Sequence, residues 1–449
     1  MARFYLLILG LANVLVSCLA SPAPRSPLYT VPKTQPKNAA TLDPTPVGAS
    51  FEFFMWPSYM TNISLALPCI DHFNKLFHRK MPVRIGGTTQ DRATYDPDFD
   101  GYVSYSVNDP LEAPMNLTYG PKFFDLIIFE YWKLPAAVSP WRETQEGADA
   151  ADWAQDFVNH WKKPLPILAG GGYAVPFEIV PEWPNLPYLI NTAYNQTIKD
   201  ATKFYNGHLY SLKNVTDNSL NVEMAHQRTV SDLNMLPISS AKSVNRPYVL
   251  GETGFHSGDY TMDATFGSAI QTVDKTLHGL TLGIQRIFYH QGTIDQAFFN
   301  WWWSDRVNAP FYGGYFAALA VEGGDSISAS DDGTDSYAQY VVYKKGKPIK
   351  VILVNTDYYS GSGSRPTTKF TMTGLKNGHV EALRMTGPSS ESLVPRLQTD
   401  PSLEPSIGGQ YFSNNNCSLR GHKRPEKFTI QKHQLTISLA ASEALIVYL

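Results

Sequence analysis

Across residues 47–312, short apolar runs alternate with stretches of helical spacing, and beyond about residue 313 the helical spacing vanishes. A strand buried on both faces of a parallel sheet reads as a continuous apolar run rather than an alternation. Strands that alternate with helices build βαβ units and a parallel sheet. The strand candidates are residues 47–54, 81–85, 125–130, 165–169, 202–210, 248–252 and 284–289; the helix candidates are 64–79, 151–162, 222–233 and 265–282. Seven strands fall one short of the eight that close a barrel of this type. From residue 313 on, runs at 337–343, 349–355, 367–372, 379–385, 428–430 and 435–449, with turns between them, predict an antiparallel β-sandwich. The predicted fold class is therefore α/β: a (β/α)8-type barrel over 47–312, followed by a C-terminal β-sandwich over 313–449. Residues 21–46, rich in Pro, Thr and Ser, are expected to be an extended linker or an edge strand of the sandwich.

Chemistry concentrates at Tyr248-Val249-Leu250-Gly251-Glu252-Thr253-Gly254, where an apolar run ends in a glycine and a carboxylate. In an α/β barrel, catalytic groups sit where the strands end. Glu252 is thus expected to project from a rigid strand tip into a cleft. A lone Glu is more commonly a surface-turn residue, but a charge at the end of a buried run is costly without a purpose.

The chain has 449 residues and a net charge of −3, which gives no reason to expect a nucleic-acid partner or an anionic membrane surface. Residues 1–20 read as a secretory signal peptide: Arg3 supplies the charged region, residues 4–16 the apolar one, and Ala20-Ser21 the small residues at the cut. No other stretch is long and apolar enough to predict a membrane span. Asn-x-Ser/Thr sequons at Asn62, Asn116, Asn195, Asn214 and Asn416 fit a glycosylated, secreted protein. Cleavage leaves Cys69 and Cys417, which either pair, tying an early helix to the C-terminal domain, or stay as two free thiols. Three widely spaced cysteines make no zinc site, and the glycine triplet 170–172 lacks dinucleotide-binding spacing. No metal and no cofactor are expected, and a G-x-S-x-G esterase signature is missing. The oligomeric state is left open.

Several segments together resemble glycoside hydrolase family 79, the β-glucuronidase and heparanase family, in its fungal secreted branch. Gly48-Ala49-Ser50-Phe51-Glu52-Phe53 resembles its first barrel strand, and the run from Val83-Arg84-Ile85-Gly86-Gly87 to Asp91-Arg92-Ala93-Thr94-Tyr95 its most distinctive segment. Leu250-Gly251-Glu252-Thr253 resembles its nucleophile strand, and His290-Gln291-Gly292-Thr293 the end of its last strand. The resemblance implies a retaining exo-glycosidase that acts on terminal β-linked glucuronic acid, or its 4-O-methyl ether, in an oligo- or polysaccharide. It makes Glu252 the nucleophile and Tyr210 its hydrogen-bonding tyrosine. Gly254, Phe255 and His256 fall in the loop that reads the sugar carboxylate in the family. Glu52 and Asp91 are further substrate-binding candidates, and Arg84 is either a carboxylate clamp or half of an ion pair with Asp91.

One departure matters. The family carries its acid/base in an Asn-Glu-Pro sequence on the fourth strand, and no Asn-Glu dipeptide occurs in this chain. Residues 124–141 are too few for the expected third and fourth βα units, so the barrel is expected to be incomplete there. Either Phe129-Glu130-Tyr131-Trp132-Lys133-Leu134-Pro135 replaces the motif, with Leu134 at the position of the acid, or the region is deleted. Glu130 is a weaker candidate for the acid, and Glu143, in an expected polar loop, a weaker one still. The competing expectation is a glycan-binding relative that kept the cleft and lost the chemistry.

Overall fold

A computed structural model describes residues 26–106, 114, 116–125, 142–161, 164–175, 181–211, 219–255, 260–296 and 301–449. The expected signal peptide, residues 126–130 of the strand expected at 125–130, including Glu130, and Leu134, Asn214 and His256 lie outside the described residues, as does the Asp91 side chain; Asp125 itself ends the helix Lys122–Asp125.

Among the described residues, six parallel strands form the central sheet, in the order Val83–Gly86, Val47–Glu52, Ile284–Gln291, Tyr248–Thr253, Thr202–Leu209, Leu168–Ala174. Every neighbouring pair is parallel. The sheet is a (β/α)8-type barrel that is incomplete around its third and fourth strands: among the described residues, nothing joins Val83–Gly86 to Leu168–Ala174. Val47–Glu52 and Tyr248–Thr253 are buried at every position, including the polar Ser50, Glu52, Glu252 and Thr253 at their ends. Outside them lie Ala66–Phe77, Glu143–His160, His226–Leu233 and Phe266–Thr281.

Several boundaries differ from the expectation. The glycine triplet is not a loop after a strand but lies inside Leu168–Ala174. There Gly171 and Gly172 adopt φ of 84° and 106°, and the register against Thr202–Leu209 slips, which marks a bulge. Glu143 opens the helix Glu143–His160 rather than sitting in a loop. Residues 95–120, for which the sequence predicted no element, hold two strands of a small sheet, Val103–Tyr105 and Leu117–Tyr119, and Ala93–Tyr95 is its third strand.

The helix Ala309–Val321 runs across the position where the sequence read the passage from barrel to sandwich. Its buried positions go all round, so it shows no amphipathic period. Beyond it an eight-stranded sheet is built on Tyr337–Lys344, Lys347–Asn355, Glu443–Tyr448 and Gly378–Thr386. One face, with Val341, Tyr343, Val351, Leu353, Leu445 and Val447, packs against a three-stranded sheet carrying Phe370, Met372, Leu435 and Ile437. The alternate residues Tyr340, Val342, Ile352, Val354 and Ile446 join the core of the barrel. The N-terminal segment lends an edge strand to each sheet: Leu28–Thr30 beside Thr367–Thr373, and Ala40–Thr41 beside Ser326–Ala329. Cys69 and Cys417 are disulfide-bonded, with Cα atoms 5.3 Å apart, and tie the helix Ala66–Phe77 to the C-terminal region. No helix among the described residues is long and apolar enough to cross a membrane.

Candidate active site

Parallel strands in register turn matching side chains to one face. Ser50 pairs with both Arg84 and His290, and Glu252 pairs with His208. The period of two adds Glu52 on the first strand and Tyr210 just past the end of Thr202–Leu209. The strand ends therefore converge these residues on one carboxylate, Glu252, which is 9 % exposed.

Tyr210 donates its hydroxyl hydrogen to Glu252 Oε1. Arg84 Nη1 donates to Glu252 Oε2 at 2.8 Å and to Ser50 Oγ at 2.8 Å. His208 Nδ1 and His290 Nδ1 each lie 3.7 Å from Glu252 Oε2. Burial works to raise the Glu252 carboxyl, but His290, His208, Arg84 and the Tyr210 hydrogen bond together hold it far below the ordinary carboxylate range. Burial also lowers His208, to about 4, against the pull of Glu252. His208 is thus neutral at neutral pH, and its share of that field then disappears, so Arg84 and Tyr210 remain as the direct hydrogen-bonding partners of the carboxylate. Tyr210 itself is raised well above its usual value, by burial first and then by the charge on Glu252, which keeps it a donor.

Glu52 is the second carboxylate. Its Oε1 accepts from the Thr89 backbone N–H at 3.0 Å and from Thr89 Oγ1 at 2.5 Å, and its Oε2 lies 3.2 Å from His290 Nε2. Gly87, at φ 104°, permits this packing, since a Cβ there would stand 2.1 Å from Glu52 Oε2. Thr89 and His290 thus contact both oxygens of Glu52 and fix its rotamer. Glu143 bonds Asn185 Nδ2 at 2.5 Å, in the first turn of its helix. The described residues thus assemble one oriented, ionised carboxylate at the strand ends.

Arg84 is accounted for by Glu252 and Ser50. Gly254 follows the Glu252 strand, and its carbonyl accepts from Lys275 Nζ at 2.5 Å. Phe255 is 2 % exposed and packs in the core, and its carbonyl accepts from the Ser211 N–H at 2.8 Å. Asn62, Asn116, Asn195 and Asn416 are all exposed. The family-like segments contained Ser50, Gly87 and His290, and an expected strand spanned His208, but the sequence placed none of them, nor Thr89, in the site. The signal was available: Ser50 precedes Glu52, and His208 precedes Tyr210, by one period of the strand.

Residues 339–446 match the family model of the glycosyl hydrolase family 79 C-terminal beta domain. A β-glucuronidase from Aspergillus niger is 24% identical over 415 residues, covering 72% of this chain and 75% of that protein. The crystal structure of a 4-O-α-L-rhamnosyl-β-D-glucuronidase from Fusarium oxysporum 12S, in complex with Rha-GlcA, superposes with a TM-score of 0.85. It is 30% identical and covers 94% of this chain and 100% of that one. A family 51 α-L-arabinofuranosidase from Bifidobacterium longum, 11% identical with a TM-score of 0.59 over 94% of this chain and 98% of its own, shares the fold.

Proposed function

Since the chain belongs to glycoside hydrolase family 79, we propose that it is a secreted retaining exo-glycosidase cleaving terminal β-linked glucuronic acid, or its 4-O-methyl ether, from glycans. The observation that carries this reading is the Glu252 carboxylate, held ionised at a strand end by Arg84 and Tyr210. Glu252 attacks the anomeric carbon, the bond to the aglycone oxygen breaks, and a glycosyl-enzyme ester forms that water then hydrolyses. Arg84 and Tyr210 fix the rotamer so that the attacking oxygen meets the anomeric carbon in line. Glu52 accepts hydrogen bonds from sugar hydroxyls, and the backbone at Gly254 and Phe255 faces the sugar carboxylate.

Retaining hydrolysis also needs an acid about 5–5.5 Å from the nucleophile. The chain has no Asn-Glu dipeptide, and this favours a second reading, a catalytically impaired relative that binds glycans. Loss of leaving-group protonation removes about 10²–10⁴ in rate, and activated aglycones are spared most of it. The test is hydrolysis of two β-glucuronides, one with a nitrophenyl and one with an alkyl or sugar leaving group. Cleavage of both means that an acid operates, and Glu130→Gln then identifies or eliminates Glu130. Cleavage of the nitrophenyl substrate alone supports Glu252 and locates the defect at the acid. Turnover of neither, with retained glycan binding, selects the second reading. A 4-O-rhamnosyl glucuronide, the type of substrate named for the Fusarium relative, completes the panel.

A further inference from the structure

Lys275 lies in the middle of Phe266–Thr281 and is fully buried. A buried ammonium is costly unless its donors are satisfied and counter-charges lie close. Its Nζ donates to the Gly254 carbonyl at 2.5 Å and to Ser211 Oγ at 3.1 Å. Gly254 stands two residues beyond Glu252, and Ser211 is the residue after Tyr210. The ammonium therefore bridges the ends of the two strands that carry the hydrogen-bonded Tyr210–Glu252 pair. Further bonds close the bridge: Ser211 N–H donates to the Phe255 carbonyl at 2.8 Å, and Thr253 Oγ1 donates to the Leu209 carbonyl at 2.5 Å. Gln271, one turn earlier on the helix, donates to Ser211 Oγ and to the Glu223 carbonyl. Asp232, Glu223 and Asp263 supply negative charge around Lys275, and Arg228 opposes them.

A buried charge this well held is more than is needed to fill space between a helix and two strand ends. We propose that Lys275 is a positioning residue: by bridging Ser211 and Gly254 it sets the separation of the Tyr210 hydroxyl from the Glu252 carboxylate. The assignment rests on Glu252 being the nucleophile. Parallel strands bond along their lengths, but past their last ladder bonds the ends are free to splay. A shift of about 1 Å at a reacting group costs about 10²-fold in rate.

The experiment uses the full chain and nitrophenyl β-glucuronide. Lys275→Met is expected to lower kcat about 10–100-fold with KM changed less than about threefold, and Lys275→Arg to recover most of the loss. Ser211→Ala keeps the lysine, removes the anchor on the Tyr210 side, and is expected to lower kcat in the same direction. If Lys275→Met does not fold, Ser211→Ala decides: wild-type kcat in it overturns the proposal. A folded Lys275→Met with wild-type kcat and only a lower melting temperature overturns it as well. Glu252→Ala in parallel tests the underlying reading, since failure there is a fault in the nucleophile and not in Lys275. Should the wild type show no turnover, ¹³C NMR titration of the Glu252 carboxyl reads the Tyr210–Glu252 pair directly. Its midpoint is expected to rise in Lys275→Met and to hold in Lys275→Arg, and an unmoved midpoint in Lys275→Met overturns the proposal.

Discussion

Replacing His226 by Ala should be among the most destabilising substitutions outside the cleft. His226 opens the helix His226–Leu233 and is fully buried. Its Nδ1 lies 2.8 Å from Asp274 Oδ2, on the helix Phe266–Thr281, and its Nε2 lies 2.9 Å from Asp331 Oδ1, in the C-terminal region. Tyr340 donates to Asp274 at 2.6 Å, the Gln339 N–H donates to Asp331 at 2.9 Å, and the His226 N–H reaches Thr356 Oγ1 at 3.0 Å. One imidazolium thus joins the helix layer of the barrel to the large sheet. Burial works against its charge, but Asp274 and Asp331 outweigh burial and push it up to about 10. Each pH unit by which a folded group departs from its unfolded value is worth ~1.4 kcal/mol, so the cation contributes a few kcal/mol. Removing one partner of a buried ionic group also strands the others, at about 3–5 kcal/mol. Urea denaturation followed by tryptophan fluorescence should show His226→Ala losing about that amount at pH 6. Because the folded value is raised, the contribution is full below about pH 6.5 and shrinks as pH climbs toward 10. The gap between wild type and variant should therefore narrow over that window. A loss below ~1 kcal/mol at pH 6, or a gap that widens with rising pH, would refute the reasoning.

Cys69→Ser should cost about 2–5 kcal/mol, since the Cys69–Cys417 bond closes a loop of sequence separation 348 and pins the turn at Cys417 to the barrel; denaturation with and without reductant measures it, and identical midpoints would count against it. The acid limb of kcat/KM should lie below the ordinary carboxylate range, because activity requires ionised Glu252 and its surroundings hold its titration low. Tyr210→Phe, which deletes one of the stabilising bonds, should move that limb upward, and an unmoved limb would remove Tyr210 from the account. Gly87→Ala should cut kcat/KM at least about 10-fold by displacing Glu52, since the new methyl meets Oε2 and the φ of 104° disfavours any side chain; near wild-type kinetics would show that the Glu52 carboxylate does not contact the sugar.

What could be read from the residues follows from what each element buries. The strand end at Glu252 was legible because a strand buried at every position leaves an apolar run that stops at the carboxylate, whereas Glu52 and Tyr210 came from the family resemblance, since polar residues interrupt Val47–Glu52 and Thr202–Leu209. The disulfide was one of two open readings, since spacing alone does not fix Cα geometry. Val103–Tyr105 and Leu117–Tyr119 escaped notice because three-residue strands of mixed burial carry no run and no alternation. The helix Ala309–Val321 was invisible for the opposite reason, being apolar on every side. Residues 435–449 read as one strand but form two, Gln434–Ala440 and Glu443–Tyr448, turned at Ser442 with φ 56°, where no glycine flags the turn. Lys275 gave no signal at all: a lysine in a helical stretch reads as solvent-facing, and only the fold brings Ser211 and Gly254 to its tip.

The most direct test of the central claim is hydrolysis of nitrophenyl β-glucuronide by wild type and by Glu252→Ala, with and without azide. The account predicts a loss of at least about 10³-fold in the variant and partial rescue by azide. Azide would enter from the face that Glu252 vacates and give the α-glucuronosyl azide. Wild-type turnover by Glu252→Ala, or an azide product of β configuration, would show that the carboxylate at the centre of this cleft is not the nucleophile.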